Sequence, residues 1–577
     1  MLWRSAASCA VAAALSGVTA AAQPLTTTPT ADATSTSIPF PVVGVDTGIN
    51  KRTGQPPSRL NINSLWAHGG PQWDLYILAL ADLQKAKETD ETSYFAIAGI
   101  HGLPHSAWNG VGHVDGAPIS GFCPHGELLF TIWHRPYVAL FEQLLVSRAM
   151  AIALRYPDEL KPEYVAAAET LRQPFWDWAA NSTLPPGSIT VSLTVRAPEG
   201  DREIPNPLYS YRYQRPSVEK KWGGDLSKHP YTYRCLGSNE TAINNATASN
   251  EGLLSAATSL TSNIYDIFAR IKTFDDMQST SFENPHNVVH FQSACGTGTM
   301  ADINWAAFEP LFMLHHANID RLLAMWQTIN YHNAMFNGTS ISGGQFGTPK
   351  NTIITADSPL KPFFMADNVT FHTSKSVSNI SVFGYTYPEL PDFYLPLESR
   401  ASHVRAQVNH LYGPATNSRV AQPGTLTKFG KTGIMNYYTV GVELERNELG
   451  GGGGASVGLW LVGNKVGEVT VLGAPCDGFL SQWVPLGDVR VNDNSSLFDF
   501  QPEKVVAFVQ WGLEVEIRLA DGTQIAVGNM PSLKLTLQNS EYMPRMANQT
   551  DGFPEFNGEV ASWAVEVKGK DETGYNH

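Results

Sequence analysis

The stretch Cys123-Pro-His125-Gly-Glu-Leu-Leu-Phe130-Thr-Ile-Trp133-His134-Arg135-Pro-Tyr-Val-Ala-Leu-Phe-Glu142 decides the reading of this chain. It sets two imidazoles, His125 and His134, roughly two helical turns apart, with the Cys123 thiol two residues before the first. From Leu128 to Ala153 the residues are apolar and aromatic enough to predict a helix packed in a core. Burying His134 between Trp133 and Arg135 in such a helix is costly unless the ring has a partner, and a bound metal supplies one. A backbone carbonyl would satisfy a lone histidine as well, so the inference rests on the whole string.

Two further regions carry histidines in metal-like positions. A helix near Glu91 to Ile100 delivers His101, and Gly102 and Pro104 then break it, so His105 does not share its face. Downstream, Asn284 and Pro285 read as the cap and first residue of a helix on which His286 and His290 are i and i+4. An i,i+4 pair is a weak signal by itself. It gains weight from Phe308-Glu-Pro-Leu-Phe312-Met-Leu-His315-His316-Ala-Asn-Ile-Asp320-Arg321. Adjacent helical residues diverge by about 100°, so His315 and His316 cannot both face one ion.

The first stretch resembles the first copper-binding signature of tyrosinases, catechol oxidases and molluscan haemocyanins, met here by His125, Phe130, Trp133, His134, Arg135 and Glu142. Its Cys-x-His opening is similar to the fungal members, in which the cysteine sulfur is bonded to the histidine ring as a thioether. Phe308 to Arg321 resembles the second signature, with His316 as ligand, Asp320 as closing acid, and Glu309 where the family has Asp. Ala98-Gly-Ile-His101-Gly-Leu-Pro104 resembles the segment bearing the first ligand. The resemblance implies two copper ions, one on His101, His125 and His134 and the other on His286, His290 and His316, with a thioether between Cys123 and His125. It leaves His105 and His113 to structure or solvent, and His315 to a backbone or carboxylate partner. Imidazoles without thiolate or carboxylate suit copper, whereas zinc favours one ion and mixed ligands.

The same resemblance implies phenolic substrates and dioxygen: oxidation of o-diphenols to o-quinones, and hydroxylation of monophenols. Glu283 and Asn287 match the pair that in the family holds a water assisting monophenol deprotonation, although Pro285 sets Glu283 ahead of the predicted helix. Ile303 and Phe312 fall at the substrate pocket. The implied fold is α+β: a mainly α-helical catalytic domain whose four-helix core holds the coppers, followed by a C-terminal β-sandwich or barrel. A single copy of the unit weighs against a haemocyanin-like dioxygen carrier. An oxidase restricted to catechols or o-aminophenols is the nearer alternative.

Composition bounds the rest. A chain of 577 residues, 43% hydrophobic and 16% charged, is globular with room for more than one domain. A formal charge of −14 argues against nucleic acid and anionic membranes as partners. Residues 1–22 read as a secretory signal peptide, and eight Asn-x-Ser/Thr sequons agree with export. Cys9 leaves with that signal. With Cys123 committed to the thioether that the resemblance implies, Cys235 and Cys295 remain as the natural disulfide pair and Cys476 is odd, a pairing that sequence alone leaves open.

In chain order, residues 23–412 form the expected catalytic domain. Helices are predicted at Trp73–Lys87, Pro162–Leu171, Leu253–Phe274 and Glu398–Leu411, with an irregular excursion over 181–249. Asp177 is expected to fix the loop at Gln173–Ala179, and Phe383–Glu389 looks like the tyrosine-containing motif that closes such cores. A linker over 413–432, offering Arg419, Lys428 and Lys431, leads to short alternating strands over 433–577. This C-terminal domain is expected to act as a lid that keeps the protein latent until it is cleaved. Phe479, the only aromatic residue in Gly473–Leu480, is the candidate plug.

Overall fold

Buried apolar residues gather into two separate cores, each with its own sequence period. The computed structural model describes residues 38–215, 229–236, 244–277, 281–413, 420–421, 434–449, 454–473, 478–486, 490–492, 495–496, 501–546 and 549–570. The expected leader at 1–22, Cys9, Cys476, Arg419, Lys428 and Lys431 lie outside the described residues.

The first core is helical. Its elements are α1 (Ile62–His68), α2 (Gly70–Lys85), α3 (Tyr94–His101), α4 (Phe130–Ala153), α5 (Lys161–Thr170), α6 (Ala246–Arg270), α7 (Glu283–Ser293), α8 (Leu311–Ile329) and α9 (Leu397–Leu411). Both α4 and α8 are buried around most of their circumference, the mark of a helix at the centre of a core. Helix α4 packs between α2 and α8, and α7 lies against α6. Within the irregular excursion, β1 (Ser192–Ala197) and β2 (Gly200–Pro205) form a hairpin.

Capping explains two shifted boundaries. The Ser93 hydroxyl accepts from the Ala96 N–H, so α3 starts at Tyr94 rather than Glu91. Asn245 accepts from the Ala248 N–H and starts α6 well ahead of Leu253. Asn284 does not cap α7, which already begins at Glu283, because its side chain is spent on the C-terminal region.

A buried charge network ties α4 to α8. Arg59 donates through Nε to Glu142 at 2.8 Å and through Nη1 to Asp320 at 3.1 Å, while Arg135 Nε donates to Asp320 at 2.6 Å. The Tyr385 and Tyr387 hydroxyls also donate to Asp320, which gives the tyrosine motif its place. Arg321 reaches Asp177 at 3.1 Å and Glu389 at 2.6 Å, and Asp177 accepts the Ala180 N–H, fixing its loop.

The second core lies between two four-stranded antiparallel sheets. Their strands are β3 (Met435–Glu445), β4 (Ala455–Leu461), β5 (Asn464–Val471), β6 (Phe479–Pro485), β7 (Leu513–Leu519), β8 (Gln524–Ile525), β9 (Lys534–Met543) and β10 (Glu555–Val565). One sheet runs β5-β4-β7-β8 and the other β6-β3-β9-β10; among the described residues neither closes, so this is a sandwich and not a barrel. Helix α10 (Pro502–Gly512) packs against strands of both sheets. Within the expected linker, Val420–Ala421 pair in parallel with Arg545–Met546. No helix among the described residues is long and apolar enough to cross a membrane.

Candidate metal centre

His101 ends α3, and the chain returns to it through Gly121, where a Cβ would stand 1.7 Å from the His101 carbonyl oxygen. Only glycine lets this loop pass and bring Cys123 and His125 beside His101. His134 stands in the second turn of α4, His286 and His290 share a face of α7, and His315 and His316 lie on α8. Donor atoms of His101, Cys123, His125 and His134 lie within 4.8 Å of one another, as do those of His286, His290, His315 and His316. The two groups adjoin: the His134 and His316 rings stack with centroids 4.2 Å apart, and those of His125 and His286 are 5.6 Å apart.

Five of the rings present Nδ1 to an accepting oxygen, whereas His315 and His316 have no partner there among the described residues. His134 Nδ1 donates to the Phe130 carbonyl at 2.7 Å, His290 to Met300 at 2.8 Å and His101 to Ile303 at 3.2 Å. His125 Nδ1 donates to Glu283 Oε1 at 3.0 Å, and His286 Nδ1 to Asn287 Oδ1 at 2.8 Å. In each of these rings Nε2 is left with its lone pair. The Nε2 atoms of His101 and His125 face each other at 3.3 Å, those of His286 and His316 at 3.2 Å, and His290 Nε2 has no partner among the described residues. Opposed lone pairs, as at His101 and His125, repel unless a cation sits between them. Two bonds of about 2.0–2.1 Å to one ion at a tetrahedral angle span close to that separation.

Burial pushes the imidazoles of His101, His134, His286, His315 and His316 far below their ordinary pKa, and that of His290 down to about 3. They are neutral, the form that ligates. The residues fit a pair of metal ions held by neutral nitrogen.

Several expectations change. His315 bonds neither backbone nor carboxylate: both its nitrogens are without partners among the described residues, and its ring stacks on His286 at 4.9 Å with its edge toward His290 at 4.7 Å. His315 thus sits within the second group as closely as His316, and the His316 ring also stacks on His134 of the first. Glu283 does not precede the helix but opens its first turn, which aims Oε1 at His125 and Oε2 at the Gly126 N–H, 2.8 Å away. Burial alone would raise the Glu283 carboxyl; the hydrogen bonds from His125 and the Gly126 N–H, with the charge of Arg446, hold it below its ordinary value.

Phe479, the expected plug, lies at the start of β6. It is 52% exposed at the outer face of β6 opposite Glu445, while its neighbour Leu480 points inward, as strand alternation requires. Asn287 is buried beside His286, and its Nδ2 donates to the Thr470 carbonyl at 2.9 Å. Ile303 is partly exposed and holds His101 through its carbonyl. Phe312 is fully buried, with its ring 4.1 Å from His316 and 4.9 Å from His101, a spacer between the groups. The Cys123 sulfur is buried 3.3 Å from His134 Nε2. Cys235 and Cys295 form a disulfide. Glu309 accepts from Arg234 at 2.9 Å and from the Leu311 N–H at 2.8 Å, which places its longer side chain in packing behind α8.

Two contacts were illegible in the sequence: Glu283 on His125, and Asn284 on strand β5. Both join residues far apart in the chain, and no local pattern marks either.

Comparison with known proteins agrees with this geometry. Residues 91–329 match the family described as the common central domain of tyrosinase. A tyrosinase of Neurospora crassa is 31% identical over 413 residues, covering 66% of this chain and 59% of that protein. A tyrosinase of Podospora anserina is 33% identical over 390 residues, covering 62% and 67%. In structure, latent and active mushroom tyrosinase superposes with a TM-score of 0.78 at 22% identity, over 92% of this chain and all of that one. Aspergillus oryzae pro-tyrosinase does so at 0.69 and 21%, over 93% and all of that chain. The fold and site define a helical protein built to hold a pair of copper ions on histidine. The chain belongs to the tyrosinase family.

Proposed function

We propose that this protein is a tyrosinase, a secreted oxidase that hydroxylates monophenols to o-diphenols and oxidises o-diphenols to o-quinones with dioxygen. The observation that carries this is the pair of adjoining buried groups whose Nε2 atoms converge. His101, His125 and His134 would hold one copper, and His286, His290 and His316 the other. When bound, the two ions supply the one-electron steps by which dioxygen is reduced and the phenol oxidised.

The chain's own residues prepare the site. Carbonyl, carboxylate and amide oxygens lock five of the six rings through Nδ1, His316 being held by packing alone, so little reorganisation is needed. Glu283, ionised and tied to His125, and Asn287, tied to His286, are the pair read as assisting monophenol deprotonation. Ile303, the partly exposed residue beside His101, is the candidate at the pocket mouth, with Phe312 behind it. A thioether between Cys123 and His125 would remove one rotamer freedom from the first group.

We read residues 23–412 as the catalytic unit, 413–432 as the linker and 433–577 as the lid. Strand β5 docked on α7 supports latency. The test is copper content together with oxygen uptake on L-tyrosine, L-DOPA and o-aminophenol, before and after limited proteolysis within 413–432. Two coppers and turnover of both L-tyrosine and L-DOPA, rising on cleavage, are expected. Uptake on L-DOPA or o-aminophenol alone would reduce the protein to a catechol or o-aminophenol oxidase.

A further inference from the structure

Strand β5 is an edge of its sheet, and its outer row of backbone groups needs partners. Helix α7 provides them with side-chain amides. Asn284 donates through Nδ2 to the Glu468 carbonyl at 3.0 Å and accepts the Thr470 N–H at 3.0 Å, a two-point contact that imitates a neighbouring strand. One turn on, Asn287 Nδ2 donates to the Thr470 carbonyl at 2.9 Å. Gln292 Nε2 closes the row on the Glu468 carboxylate at 2.8 and 2.9 Å. Asn284, Asn287, Glu468 and Thr470 are all buried.

Asn287 is therefore held at both ends. Its oxygen faces His286 Nδ1 and its nitrogen is bound to the C-terminal domain, so the amide plane is set by that domain. Glu283 differs: its oxygens are taken by His125 and Gly126, both within the helical unit, so departure of the domain leaves those bonds in place and removes only the charge of Arg446.

We propose that β5 is a clamp on Asn287, and that the docked C-terminal domain sets the ratio of monophenol hydroxylation to diphenol oxidation as well as access to the site. While one Nδ2–H is given to Thr470 the amide plane is fixed, and the second N–H cannot be turned toward a water between Asn287 and Glu283. Once the strand leaves, it can. A lid that only blocked the entrance would suppress both reactions together; the clamp weighs on the monophenol reaction alone. This inference rests on the reading of Glu283 and Asn287 as the pair assisting monophenol deprotonation.

The experiment uses the full-length copper-loaded chain, intact and after cleavage within 413–432, as wild type, Asn287→Ala and Asn284→Ala. The readout is the ratio of kcat on L-tyrosine to kcat on L-DOPA. In the wild type that ratio should rise on cleavage by about fivefold, the worth of one hydrogen bond. In Asn287→Ala it should be low and the same before and after cleavage. In intact Asn284→Ala it should move toward the cleaved wild-type value. A second readout is independent of activity: the Thr470 N–H should exchange slowly in the copper-free intact chain and faster in Asn284→Ala. An unchanged wild-type ratio on cleavage, with Asn287→Ala still lowering it, overturns the clamp and leaves the role of Asn287 standing. A cleaved Asn287→Ala enzyme with the wild-type ratio overturns that role and the clamp with it. Fast exchange at Thr470 in the intact wild type removes the contact itself.

Discussion

Replacing Asp320 with Asn tests what holds the two halves of the metal centre together. Its Oδ1 accepts from Arg135 Nε at 2.6 Å; its Oδ2 accepts from Arg59 Nη1 at 3.1 Å, from the Tyr387 hydroxyl at 2.7 Å and from Tyr385. An amide has only one acceptor oxygen. Placed at either position, its NH₂ meets a donor, and no orientation satisfies the site. Of the two buried guanidinium groups, Arg59 would keep Glu142, whereas Arg135 would lose its carboxylate partner. Leaving a charge uncompensated in this way costs about 3–5 kcal/mol. At about 2 °C per kcal/mol for a large domain, Tm of the copper-free protein should fall by roughly 6–10 °C.

Because Arg135 follows His134 and Asp320 lies one turn after His316, Asp320→Asn should also bind less copper per chain. Burial alone would raise the Asp320 carboxyl, but Arg135 and Arg59 hold it below its ordinary range. A carboxylate depressed in the folded state stabilises fully above its unfolded pKa of about 3.9 and loses that contribution as pH falls through the folded value. The gap between wild type and Asp320→Asn should thus be constant from about pH 5 to 8 and narrow below about pH 4. Thermal unfolding across pH, with copper analysis, measures both. A Tm loss under about 2 °C with full copper would refute the network as the tie between α4 and α8.

His134→Ala or His290→Ala should each empty one metal position and abolish turnover, read as copper per chain by elemental analysis and oxygen uptake; full activity in either would remove that ligand. Peptide mass spectrometry of copper-loaded protein should recover Cys123 linked to His125 with the loss of two hydrogens, and a free Cys123 thiol after loading would dismiss the thioether. Phe479→Ala should leave the activity of the uncut chain unchanged, since the ring is half exposed; activation by this substitution would establish it as the plug.

Residue spacing placed the helices that carry the site, while the resemblance named the histidines on them as ligands. The i,i+4 placement of His286 and His290, the histidine ending α3 before Gly102 and Pro104, and the apolar run around His134 all follow from one helical period. The alternating segments after residue 434 likewise announced strands. Tertiary structure decided what joins residues without a common local period. His125 meets Glu283 across 158 positions, Arg59 meets Asp320 across 261, and Asn284 meets Glu468 across 184. Whether Asn284 capped its own helix or served a distant strand depended on which acceptors the fold brought to it. Which of Phe479 and Leu480 faces the sandwich core was decided by the pairing of β6 with β3, because strand parity is set by register and a one-residue shift reverses it. A period is written along the chain; a register or a buried ion pair exists only once two distant segments meet and shut water out between them.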